Sequence, residues 1–70
     1  MAQELRRLLT EAREASGINQ TALGKAMGRS QSFVSNYERG QRRLDVPEFI
    51  QMCRLLGLDP HEMLGRVEGV

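Results

Sequence analysis

Apolar residues recur along this chain with the period of an α-helix, and turn-forming residues interrupt them at short intervals. Leu5, Leu8, Leu9 and Ala12 follow the i, i+3, i+4, i+7 spacing of one buried stripe, and Gly17 stops the pattern after Ser16. A first helix is thus predicted over about residues 3–16. Asn19 is a good N-cap for a second helix that buries Leu23 and Met27 and ends at Gly28; Ser30 caps a third that turns Val34 and Tyr37 inward and ends at Gly40. Asp45-Val-Pro-Glu48 has the form of a capping box with proline in the first turn. It opens a fourth helix whose stripe is Val46, Phe49, Ile50, Cys53 and Leu56, closed by Gly57. Asp59-Pro60-His61-Glu62 repeats the device for a short fifth helix bearing Met63, Leu64 and Val67. Strand-like alternation, internal repeats and low-complexity tracts do not occur, so the reading is an all-α, compact five-helix bundle.

Seventy residues suit one small domain, taken as residues 1–70, near the lower size at which an apolar core holds a chain together. No apolar run nears the roughly 20 residues of a bilayer span, and the opening residues lack a signal-peptide core, so a cytoplasmic location and no membrane partner are expected. Cys53, the single cysteine, excludes an internal disulfide and any multi-cysteine metal site, and its apolar neighbours suggest simple packing. His61 has no second ligand at metal spacing, the serines lack a His-Asp partner set, and no glycine-rich phosphate loop follows a strand. Catalytic residues, metals, cofactors and a small-molecule substrate are therefore not expected.

The net charge is only +1, but it is unevenly spread. Residues 1–24 balance at zero. Residues 25–43 carry Lys25, Arg29, Arg39, Arg42 and Arg43 against Glu38 alone, a balance of +4, and residues 44–70 come to −3. The basic block coincides with the third predicted helix and the loop after it, while the acidic block sits where nothing needs to approach a polyanion. On the third helix Gln31, Ser32, Ser35 and Asn36 fall on the arc opposite Val34 and Tyr37, since each residue advances about 100° around the axis. Amides and hydroxyls both donate and accept hydrogen bonds, as the mixed pattern of base edges in a DNA major groove demands. Two short helices over about residues 19–40, joined by a tight turn and followed by cations, have the form of a helix-turn-helix.

These segments resemble the Cro and phage-repressor type of helix-turn-helix proteins, the XRE family, over nearly the whole chain. The resemblance rests on Asn19-Gln20, Leu23, Gly28, Ser30-Gln31-Ser32 and Tyr37-Glu38-Arg39-Gly40, in this order and at these separations. It implies a lambda-repressor-like fold and a DNA-binding transcriptional regulator, acting as a repressor, that works as a homodimer on a palindromic double-stranded operator with half-sites roughly 34 Å apart. It also implies an ion pair between Arg13 and Glu38, and a close crossing of helices two and three at Gly24; a tolerated surface glycine is the other reading of Gly24.

Gln31 is the foremost base reader, because a glutamine at the start of the third helix can pair with adenine N6 and N7 through both amide atoms. Ser32, Ser35 and Asn36 follow it along the same face. Asn19, Gln20 and Ser30 lie at helix N-termini suited to phosphates, although capping alone also accounts for Asn19 and Ser30. Arg29, Arg39, Gln41, Arg42 and Arg43 extend the phosphate-facing set, and one of Arg42 or Arg43 has the reach for a minor groove. Phe33 has two readings, packing inward or pressing on a thymine methyl. Met63, Leu64 and Val67, with the tail after them, are expected to supply the dimer contact, since in the resembling repressors this end lies near the two-fold axis; the other reading is that all three simply finish the core. A protein-interaction module of the same fold, such as an antitoxin binding a toxin partner, is the second functional reading.

Overall fold

A computed structural model describes residues 2–68, which form five helices: α1 (Ala2–Ala15), α2 (Gln20–Ala26), α3 (Gln31–Glu38), α4 (Val46–Leu55) and α5 (Pro60–Glu68). No strand occurs among the described residues. α2 and α3 make the most extensive helix pair, and α1, α4 and α5 close around them. Leu9, Leu23, Val34, Met52 and Cys53 lie at the centre of the core, each almost wholly removed from water. Leu5, Leu8 and Ala12 pack against that centre while keeping some exposure, so the predicted α1 stripe forms one wall of the core.

The ends of the elements follow local chemistry. Asn19 accepts a hydrogen bond from the Ala22 backbone N–H at 2.8 Å, which satisfies one of the unpaired donors of the first turn of α2. Asp45 and Glu48 form a complete capping box on α4. The Asp59 side chain accepts from the His61 N–H, and the His61 side chain is exposed. At Gly28 φ is +70°, a conformation that costs a residue with a Cβ far more than glycine. It allows the Arg29 N–H to reach back to the Gly24 carbonyl and the Gly28 N–H to reach the Lys25 carbonyl, the paired bonds of a Schellman turn. This turn sets the angle between α2 and α3.

Gly24 is buried at the crossing of these two helices. A Cβ built there would lie 2.5 Å from the Ser30 carbonyl oxygen, so the helices meet backbone to backbone and the close-crossing reading holds.

Three expectations need correction. Ser30 occupies the N-cap position of α3 with extended backbone, but its hydroxyl makes no capping hydrogen bond. Val46, assigned to the buried stripe of α4, is 69% exposed, and Ile50 is only partly buried. On α5, Met63 fills the core at 3% exposure whereas Leu64 is 43% exposed, so Met63 is unavailable for a dimer contact. Neighbouring helical residues point about 100° apart, and which of the two meets the core depends on how α5 lies against α1 and α4. Val67 is half-buried, and residues 69 and 70 of the tail lie outside the described residues.

Candidate nucleic-acid interface

α3 exposes Gln31 and Ser32 to solvent, while Ser35 and Asn36 on the next turn are half-buried. Phe33 turns inward at 6% exposure with Val34 and Tyr37, which decides its two readings in favour of packing. The polar arc of α3 is therefore open at its N-terminal end and narrower toward its C-terminus.

A chain of hydrogen bonds runs from the core to the tip of this arc. Arg13 on α1 donates from Nε to Glu38 Oε2 at 2.6 Å and from Nη2 to Glu38 Oε1 at 3.1 Å, with both side chains about nine-tenths buried. The implied ion pair is present. Its third N–H group, Nη1, donates to the Ile18 carbonyl, which ties the α1–α2 connection to the same guanidinium. Pairing with Glu38 holds the Arg13 pKa above the usual arginine range, and burial works against it. Glu38 Oε1 also accepts from Gln20 Nε2 at 2.8 Å, and Gln20 Oε1 accepts from Gln31 Nε2 at 3.3 Å.

The polarity of this chain is forced. An ionised carboxylate only accepts, so Gln20 must turn its amino group to Glu38 and its carbonyl to Gln31. Gln31 must then spend one amino proton on Gln20. Its Oε1 and its second proton remain free, one acceptor beside one donor, which is the complement of adenine N6–H and N7. Gln20, assigned at first only to phosphate, is thereby also the residue that orients Gln31.

The cations divide into two groups. Arg39 and Arg43 are exposed with Lys25, and Arg39 Nη2 donates to Asn36 Oδ1 at 2.9 Å, which lays the guanidinium along α3. Gln41 is exposed beside them, its backbone N–H closing the end of α3 on the Asn36 carbonyl. Arg29 and Arg42 instead engage Glu48, a residue only 5% exposed. Arg42 Nη1 and Nη2 lie 3.0 Å from Glu48 Oε1 and Oε2, and Arg29 Nη2 lies 2.9 Å from Oε2. Both guanidiniums sit over the Phe33 ring, at 4.3 Å for Arg42 and 5.0 Å for Arg29, within cation–π range. The Arg42 guanidinium holds the Glu48 carboxyl below its ordinary pKa, against the opposing effect of burial. The sequence places Glu48 in an acidic block away from the expected interface, yet it lies directly under Arg29 and Arg42, two of the candidate phosphate-facing cations. Its capping-box role was visible in the sequence, but its arginine partners lie 19 and 6 residues away and left no local signal.

Among the described residues no group of three or more His, Cys, Asp or Glu side chains is arranged to hold a metal, and no helix is long and apolar enough to cross a membrane. Cys53 is fully buried, which pushes its thiol up to about 11 and leaves it protonated at neutral pH.

A family model described as a helix-turn-helix domain matches residues 4–64. Among solved structures, an XRE-family like protein from Pseudomonas syringae pv. tomato superposes with a TM-score of 0.91 at 50% identity, over 97% of this chain and 83% of that one. The restriction-modification controller protein C.AhdI from Aeromonas hydrophila superposes with a TM-score of 0.78 at 29% identity, over 89% of this chain and 90% of that one. No curated protein sequence matches. With the helix-turn-helix model matching residues 4–64 and an XRE-family like relative 50% identical over 97% of this chain, the chain belongs to the XRE family of helix-turn-helix proteins, a DNA-binding class and not an enzyme.

Proposed function

We propose that this protein is a sequence-specific transcriptional regulator, acting as a repressor in the cytoplasm, that reads the DNA major groove with α3 as a homodimer on a palindromic operator. The observation that carries the reading is the Arg13–Glu38–Gln20–Gln31 chain, which fixes the donor and acceptor faces of one exposed amide at the tip of α3. Ser32, Ser35 and Asn36 complete the base-reading edge. Asn19, Gln20 and Ser30, with Arg29, Arg39, Gln41, Arg42 and Arg43, supply the phosphate contacts that set register. The controller protein among its structural relatives, which regulates a restriction-modification system by its name, supports a regulatory role.

The dimer contact falls on exposed apolar side chains that the core does not use. Val46 and Leu55 on α4 flank a shallow groove with Pro47 and Ile50, and Leu64 stands exposed on α5. One domain offers few base contacts, and pairing two half-sites adds their binding free energies less the cost of association.

Selection of bound duplexes from a random pool, followed by gel shifts across a salt series, tests the reading. A recovered palindrome bound with a steep salt dependence is expected. Failure to enrich any sequence would refute it and favour the protein-interaction reading of the same fold.

A further inference from the structure

Glu48 poses a problem for a DNA-facing surface. It is an acid under the patch that must attract phosphates, and its charge opposes that attraction. Its surroundings show what it contributes instead. Oε1 accepts from Arg42 Nη1 and from the Asp45 backbone N–H, and Oε2 accepts from Arg42 Nη2 and Arg29 Nη2, so both oxygens are doubly engaged. The two arginines come from opposite ends of α3: Arg29 lies in the turn before it and Arg42 in the loop after it. Phe33, in the first turn of α3, fills the space beneath both guanidiniums. One carboxylate and one ring thus bind three separate segments of chain.

Both arginines nevertheless keep an outward side. The Arg29 side chain is 46% exposed and that of Arg42 is 36% exposed. Arg29 gives Glu48 only its Nη2, and its other N–H groups meet no hydrogen-bond partner among the described residues. Arg42 uses Nη1 a second time, on the Arg43 carbonyl at 2.8 Å, which also fixes the backbone from which Arg43 projects. A guanidinium clamped by two parallel bonds and stacked on a ring has lost the freedom that a surface arginine would otherwise lose on binding.

We infer that Glu48 is a positioning residue for DNA recognition: it holds Arg29 and Arg42 along one side of α3 so that their outward N–H groups meet phosphates in fixed register. This rests on the DNA-reading function above. Glu48 trades some general attraction for register, so its loss affects matched and unmatched DNA differently.

Glu48→Gln removes the charge while keeping the volume and one acceptor. Affinity for the selected operator should fall about tenfold, whereas affinity for unrelated duplex DNA should stay level or rise, because a negative charge has gone. Arg42→Lys keeps the charge but cannot span both carboxylate oxygens, and it should lower the same ratio even if Glu48→Gln fails to fold. The double variant should lose no more than the larger single loss, since both act on one contact. Equal changes on operator and unrelated DNA would overturn the proposal, because Glu48 would then only adjust charge. Nuclear magnetic resonance of the free protein gives a separate readout. The two Nη groups of Arg42 should give distinct, slowly exchanging signals that merge in Glu48→Gln, and merged signals in the unsubstituted protein would overturn the clamp. A protein with a clamped Arg42 that enriches no operator would instead refute the DNA-reading function.

Discussion

Gly24→Ala measures how closely α2 and α3 meet. The added methyl would stand 2.5 Å from the Ser30 carbonyl oxygen and 2.9 Å from its carbon, where an ordinary carbon–oxygen contact is about 3.3–3.6 Å. The opposing atoms are backbone, so no rotamer change relieves the clash, and the first turn of α3 must retreat by roughly an ångström. Overpacking of this kind costs about 1–3 kcal/mol, and a rigid backbone contact belongs near the top of that range. Alanine returns about 1 kcal/mol through helix propensity, leaving a net loss of about 2 kcal/mol. For a domain of this size that lowers Tm by roughly 8–16 °C, measurable by circular dichroism at 222 nm. Because the retreating turn carries Gln31, operator affinity at a temperature where the variant is fully folded should fall as well. A variant as stable as the parent, or more stable, would show that the crossing is looser than described and that Gly24 is a tolerated helix glycine.

Gln31→Ala should weaken operator binding by about 1–3 kcal/mol and leave binding to unrelated DNA nearly unchanged, with equal losses in gel shifts on both arguing against base reading. Arg43→Ala should weaken binding to every duplex and reduce the slope of log affinity against log salt by about one, and an unchanged slope would make it a bystander. Glu48 is held below its ordinary pKa when folded, so its stabilisation is complete above the unfolded value near 4.3 and is lost as pH falls through the folded pKa. Urea midpoints of Glu48→Gln should accordingly fall less than those of the parent between pH 5 and acid, and parallel curves would contradict the pairing. Val46→Glu with Leu64→Glu should leave the monomer folded and abolish the two-subunit operator complex in sedimentation, and an undiminished two-subunit complex would refute this dimer contact.

The sequence alone determined the helices and most of their ends. Those features depend on residues no more than about four apart: the α1 stripe, the Asn19 cap, the Asp45–Glu48 box and the glycines that close α1 to α4. The inward arc of α3 was legible too, since a period of 3.6 fixes which residues share a side. Glu48 shows where such reading stops. Its hydrogen bond within the capping box spans three residues and was visible, but its bonds to Arg29 and Arg42 exist only because the α2–α3 turn and the α3–α4 loop meet over the first turn of α4. Gln20 and Gln31 lie eleven residues apart and touch only because Gly24 admits a close crossing. Met63 and Leu64 make the same point on α5. Both are apolar neighbours on a short amphipathic helix, and periodicity permits either to face inward. The tilt of α5 against α1 and α4 buried Met63 and exposed Leu64, a choice set by the shape of the space left to fill, and no sequence window contains that shape.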